Sequence, residues 1–108
     1  MEVMESTGIF SVDEFAPYLA EGANWRFFKA MLADCIHEAE PGRFLDVGSG
    51  LGFFVECCDR FGIPCEGLEG SAYAVAQASA RGVRLTPFDL TSGAAFPYPS
   101  STFSLVLL

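Results

Sequence analysis

The sequence predicts an α/β fold in which a parallel sheet carries helices on both faces, and three observations lead there. The run Arg43-Phe44-Leu45-Asp46-Val47 passes straight into Gly48-Ser49-Gly50-Leu51-Gly52 and then into an amphipathic segment. That order is strand, tight loop, helix, the unit that places a ligand at the carboxyl end of a parallel strand. Apolar runs and helical segments then alternate as β–α–β–α–β from residue 43 to residue 88. Finally, Phe103-Ser104-Leu105-Val106-Leu107-Leu108 is an almost unbroken apolar run, as a buried strand requires. The expected spatial order of these strands is third, second, first, fourth, an arrangement that right-handed crossovers constrain.

Residues 1–10 carry little pattern and read as a flexible lead-in to a domain over residues 11–108. Ser11-Val12-Asp13-Glu14 fits a helix N-terminus, with Ser as cap and Glu three places on, and Pro17 keeps that helix short. Asn24 is placed to cap a stronger helix. In it Phe28, Met31, Leu32, Cys35 and Ile36 recur at steps of three and four, giving one apolar stripe that Pro41-Gly42 ends. The strand over 43–47 is followed by a helix over 51–61, closed by Gly62 because glycine suits the left-handed position beyond a helix end. A second strand over 63–68 and an alanine-rich helix over 71–81, closed by Gly82, lead to a third strand over 83–88.

At 108 residues the chain holds one domain at most. Its hydrophobic residues make up 51%, with 11 Phe among them, so material for a core is present. The formal charge of −8 argues against a basic face for a nucleic-acid backbone and gives no support for an anionic membrane partner. Met1-Glu2-Val3-Met4-Glu5-Ser6 lacks the basic start of a signal peptide, and no apolar run reaches membrane-spanning length, so a cytoplasmic protein is expected. Cys35, Cys57, Cys58 and Cys65 form no C-x-x-C pair, and His37 is the only histidine. Zinc takes about four ligands, so no metal site is expected and the thiols read as small reduced residues. His37, beside Glu38 and Glu40, reads as a solvated helix-end residue.

The chemistry gathers at three successive strand ends. Asp46 closes the first strand and begins an Asp-x-Gly-x-Gly-x-Gly pattern, whose glycines let the backbone take positive φ and lie close to a ligand. Glu69, with Gly70 after it, ends the second strand about twenty residues on, where a carboxylate can accept from both hydroxyls of a ribose. Asp89 and Leu90 follow the third strand. Each alone has a plain reading: tight packing for the glycines, a solvated strand end for Glu69, a loop or capping acid for Asp89. Their order at three strand ends favours a binding site. Phe53-Phe54 reads as core at the start of a helix rather than as a wall for substrate. A dinucleotide fingerprint would want glycine at position 53, which is Phe, and an apolar residue where Asp46 stands.

The run Asp46-Val47-Gly48-Ser49-Gly50-Leu51-Gly52 closely resembles motif I of the class I S-adenosylmethionine-dependent methyltransferases, which are Rossmann-like. The resemblance extends, in order, over about residues 25–108. Phe96-Pro97-Tyr98-Pro99-Ser100-Ser101-Thr102-Phe103-Ser104 resembles the family's run into its fourth strand, except that Ser104 stands where the family usually has Asp. The resemblance implies S-adenosyl-L-methionine as cofactor. It would set Gly48, Ser49, Gly50 and Gly52 against the methionine and ribose part, with Asp46 bracing the loop and helping to hold the methionine ammonium. Glu69 with Gly70 would meet the ribose, and Asp89 with Leu90 the adenine.

By the same resemblance the reaction is methyl transfer to an acceptor, a small molecule being favoured. The family's acceptor-choosing residues lie after the fourth strand, so no catalytic residue is named. Of a seven-stranded family sheet this chain would supply the first four strands. The fourth would then be an apolar edge open to self-association, in a fragment of a longer enzyme (the favoured reading) or in a chain completed by a partner. Two other functions stay open: an NAD(P)- or FAD-dependent oxidoreductase fragment, and a non-catalytic methyltransferase-like remnant.

Overall fold

The structure, a computed structural model, describes residues 2–4, 25–99 and 101–108. The short helix expected from Ser11 and the cap expected at Asn24 lie outside the described residues. The elements in chain order are β1 (Glu2–Met4), α1 (Trp25–Glu38), β2 (Phe44–Val47), α2 (Phe53–Arg60), β3 (Cys65–Glu69), α3 (Ala72–Ala80), β4 (Thr86–Pro87) and β5 (Leu105–Leu107). The strands form one sheet in the order β1-β5-β2-β3-β4, every pair parallel. The four strands legible in the sequence thus take the expected order.

The edge beside β5 differs from expectation. Glu2–Met4, where the sequence carries no pattern, pairs with β5 in the register Glu2 opposite Leu105 and Met4 opposite Leu107. The last strand is therefore an inner strand of the sheet and not its open edge. Strand pairing is made by backbone groups, which every residue carries, so a three-residue strand leaves no periodic signature.

Side chains alternate across β2. Phe44 and Asp46 share one face with Leu105 and Leu107, while Leu45 and Val47 share the other with Leu68 and Val106. All three described helices lie on the Phe44 face: Leu32 and Cys35 of α1 and Phe54, Cys57 and Cys58 of α2 pack on Phe44, Leu105 and Leu107, and Ala78 of α3 joins Val55, Val83 and Leu85. The opposite face, expected to carry helices too, is covered among the described residues by the β4–β5 connection. There Phe88, Tyr98 and Phe103 pack on Leu45, Val47, Leu68 and Val106. Pro97, Pro99 and Gly93 keep that connection irregular, and aromatic rings supply the area a helix would have supplied.

Both glycine-closed helices end as the sequence suggests. After α2, Gly62 sits at φ 72°, its N–H donating to the Asp59 carbonyl, while the Ile63 N–H donates to that of Cys58. Gly82 (φ 84°) and Val83 repeat the pattern on Ser79 and Ala78 after α3. Boundaries moved where backbone chemistry demanded. Gly52 is left-handed at φ 78°, so α2 begins at Phe53 rather than at residue 51. Pro87, which has no N–H to give, holds β4 to two residues at the sheet edge. In α1, Leu32 and Cys35 are buried, but Ile36 at the end of the expected stripe is 52% exposed.

Removal of residues 1–4 is expected to uncover the apolar Leu105–Leu107 edge and convert the chain into dimers and larger species at micromolar concentration. Sedimentation velocity on the full and shortened chains measures it; identical profiles would show that β1 does not protect that edge.

Candidate functional site

The loop after β2 is built by β3. The N–H groups of Gly48 and Ser49 both donate to the Leu68 carbonyl, each at 2.9 Å, and the Gly50 N–H donates to Glu69 Oε1 at 2.7 Å. Gly52 turns its own N–H back to the Ser49 carbonyl at 3.0 Å. Such a path needs the left-handed region at alternate positions, and Gly48, Gly50 and Gly52 have φ of 73°, 62° and 78°. Gly52 has a second reason to lack a side chain: a Cβ there would lie 3.0 Å from Val83 Cγ1. Gly67, which the sequence reading passed over, supports the loop from below. A Cβ on it would come within 2.7 Å of Ser49 Oγ and of Leu85 Cδ2.

Glu69 joins two segments. Its Oε1 takes the Gly50 N–H and its Oε2 takes the Ser71 N–H at 2.8 Å, just where Ser71 caps α3 by accepting from the Ala74 N–H. Each carboxylate oxygen keeps a further lone pair after these bonds. Asp46 is nearly solvent-free, and its Oδ2 accepts from Ser49 Oγ at 2.8 Å, so it braces the loop. Burial pushes its carboxyl up to about 7; the Ser49 hydroxyl opposes that rise and the neighbouring Glu69 charge adds to it.

Gly70 and Asp89 adjoin. The Phe88 N–H donates to the Glu69 carbonyl at 3.0 Å, and a Cβ on Gly70 would lie 3.8 Å from Asp89 Cα. Asp89 Oδ1 accepts from the Thr91 hydroxyl and the Thr91 N–H, at 2.6 and 2.8 Å, and these two bonds hold its carboxyl below the ordinary range. Leu90 is 53% exposed beside it. The nine residues singled out by sequence, Asp46, Gly48, Ser49, Gly50, Gly52, Glu69, Gly70, Asp89 and Leu90, therefore come together at the carboxyl ends of β2, β3 and β4. Phe53 and Phe54 are buried core, as expected. Ser104 lies at the opposite end of the sheet, its N–H on the Arg43 carbonyl, so the departure from Asp there does not touch this site. A pocket of about 350 Å³ lined by Arg43, Cys65, Glu66 and Arg84 also belongs to that amino end.

The sequence reading missed Ser71 and Arg81 as parts of the site. Ser71 has a local signal, a serine before an alanine-rich helix. Arg81 has none, because its bond to the Leu51 carbonyl spans thirty residues of chain.

The Asp46 carboxyl carries a pH signature. In the unfolded chain it ionises near its ordinary 3.8, in the folded chain near 7, so between those values the folded state binds the extra proton. Folding stability should therefore fall as pH rises through that window and level off above it. Asp46→Asn removes the ionisation and keeps an acceptor for Ser49. Unfolding free energies of the two proteins from denaturant titrations should diverge in the variant's favour between about pH 5 and about pH 8, by on the order of a few kcal/mol. Parallel pH profiles would place the Asp46 carboxyl near its ordinary value.

No protein-family model and no curated protein matches the sequence. Among solved structures, the chain is similar to CalS10, an amino pentose methyltransferase from Micromonospora echinaspora involved in calicheamicin biosynthesis, solved with S-adenosylmethionine bound. The identity is 35% and the TM-score 0.61; the match covers 95% of this chain and 44% of CalS10, so this chain spans under half the length of that relative. Among the described residues no helix is long and apolar enough to cross a membrane. With its parallel sheet order and its glycine loop tied to the acid ending the next strand, the chain has the fold of the class I S-adenosylmethionine-dependent methyltransferases.

Proposed function

We propose that this chain binds S-adenosyl-L-methionine at the carboxyl ends of β2, β3 and β4, and forms the cofactor-binding part of a methyltransferase acting on a small molecule. The observation that carries the reading is Glu69, whose carboxylate anchors the glycine loop through the Gly50 N–H while keeping lone pairs for a ribose. The donor chemistry fits that cofactor. Asp46 is a buried carboxylate whose side-chain hydrogen bond comes from the neutral Ser49 hydroxyl, and an ammonium suits it. Gly48 leaves open space where a Cβ would stand, so a ligand can approach the backbone there.

The loop is poorly made for a diphosphate. An anion cradle needs N–H groups aimed outward, whereas those of Gly48, Ser49, Gly50 and Gly52 are all spent on protein carbonyls or on Glu69. Two carboxylates beside the loop add like-charge repulsion. Both features count against the dinucleotide alternative.

Bound at this site, S-adenosyl-L-methionine supplies a methyl carbon made electrophilic by its sulfonium. The chain's own work is placement: Glu69 orients ribose hydroxyls, Asp46 supplies a negative charge for the ammonium, and the Asp89–Leu90 segment offers an acceptor next to an apolar side chain. Fixed orientation of reacting groups lowers a barrier without any further chemistry by the protein. CalS10 methylates an amino pentose, which supports a small acceptor with hydroxyl or amine groups here. The free thiols Cys35, Cys57, Cys58 and Cys65 fit a reducing compartment, and we place the protein in the cytoplasm.

Titration calorimetry with S-adenosylhomocysteine tests the reading. Glu69→Ala should weaken binding by about ten- to a hundredfold, the loss expected for charge-assisted hydrogen bonds; an unchanged dissociation constant would reject the ribose role. A cation beside Asp46 favours its charged form, so affinity should rise from about pH 6 to about pH 8, and Asp46→Asn should abolish that rise. Tight binding of a nicotinamide dinucleotide instead would overturn the proposal.

A further inference from the structure

Glycine loops are held in place only by what grips them, because glycine restricts its own backbone least. On its inner side this loop is gripped by β3, through the Leu68 carbonyl and Glu69. A second grip comes from a side chain thirty residues farther along the chain. Arg81, the residue that ends α3, donates from Nη1 to the Leu51 carbonyl at 2.6 Å, midway between Gly50 and Gly52. The same guanidinium lies over the Phe53 ring, its Cζ 4.1 Å from the centroid, and its Nη2 is 3.4 Å from Glu56 Oε1. Arg81 is 24% exposed and Glu56 16%, so this grip is partly withdrawn from solvent screening. Phe53 is itself fixed, edge-on to Trp25 at 6.2 Å and against Phe28 at 5.7 Å.

We propose that Arg81 is a positioning residue for cofactor binding: by gripping Leu51, Phe53 and Glu56 together it fixes the glycine loop just beyond the Gly50 bond to Glu69. This inference rests on the cofactor reading above. The planar fork of arginine suits the task, because one face can stack on a ring while two edges donate in different directions. Lysine can reach a single acceptor with a point charge and has no face to stack, so it replaces one arm of the grip. Through Arg81 the end of α3 is tied to the junction of loop and α2, while Glu69 ties the start of α3 to the same loop. The loop is thereby fixed to both ends of one helix.

The test uses the full chain, Arg81→Met and Arg81→Lys, with two readouts: calorimetric titration with S-adenosylhomocysteine, and amide hydrogen exchange by NMR. Arg81→Met should weaken binding about tenfold or more, and Arg81→Lys by a smaller factor. Exchange should quicken selectively over residues 48–53. Wild-type affinity in Arg81→Met overturns the proposal, as does exchange that quickens evenly through the chain, the mark of a general loss of stability. Should Arg81→Met fail to fold, Arg81→Lys decides on the same two criteria. If the unaltered chain binds no S-adenosylhomocysteine, the cofactor reading fails by itself. The exchange pattern then still judges the grip: selective quickening over 48–53 upholds it and unchanged rates reject it.

Discussion

The Glu69 carboxylate accepts from the Gly50 N–H with one oxygen and from the Ser71 N–H with the other, and through that pair of bonds a loop, a strand end and a helix start become one rigid corner. Several features of the sequence make sense only as conditions for it. Gly67 must lack a side chain so that Ser49 and Leu85 can close over β3. The β2–β3 register, with Val47 opposite Leu68, must bring the Gly48 and Ser49 N–H groups to the Leu68 carbonyl and leave Glu69 level with Gly50. Slipping that register by one residue would set Glu69 opposite Val47 and place a carboxylate on the apolar Leu45 face.

Charge at this corner is unusual for a glycine loop. Asp46 and Glu69 are close enough for the Glu69 charge to oppose ionisation of Asp46, and neither has a cationic side chain bonded to it among the described residues. Arg81 reaches the loop at Leu51 but spends its guanidinium on a carbonyl, a ring and Glu56. Two neighbouring acids without a counter-charge are costly, and an ammonium beside them would offset that cost. That distribution of charge is what the proposed ligand, with an ammonium, ribose hydroxyls and no phosphate, would match.

Most of this corner was legible in the sequence because it depends on local chemistry. Gly48, Gly50 and Gly52 announce a backbone path that other residues enter poorly, and Gly62 and Gly82 announce helix ends. The order of β5, β2, β3 and β4 is constrained by crossover handedness and is the order the family resemblance implies. What escaped was set by tertiary contact. Glu2–Met4 became a strand because β5 offered it unpaired backbone groups, not because its residues favour one. Arg81 looks like any arginine at a helix end until the fold brings Leu51 beside it. Asp89 was read as an adenine contact, and the structure adds that one of its oxygens already closes a turn on Thr91, leaving the other for a ligand.

The two faces of the sheet are covered by different means, and the difference bears on where an acceptor could sit. The three described helices pack the Phe44 face with aliphatic, thiol and phenyl groups, and Gly52 and Gly67 set how closely Ala78, Val83, Leu85 and Val55 approach. The Leu45 face is closed by a ladder of edge-to-face rings, Phe88 to Phe96 at 6.0 Å, Phe96 to Tyr98 at 6.1 Å and Tyr98 to Phe103 at 4.9 Å, with the Arg43 guanidinium over the last. Rings cover much area per residue, so an irregular segment can close a sheet face that a helix would otherwise cover. The covering thins toward the carboxyl end, where Phe96 and Leu90 are each about half exposed, next to Asp89. Apolar surface beside the acids of the loop is what a neutral ring requires on one side while its polar edge meets a carboxylate on the other. Asp46 and Glu69 thus stand on the helix-covered face, while Asp89 and Leu90 follow β4 at the start of the segment that closes the other.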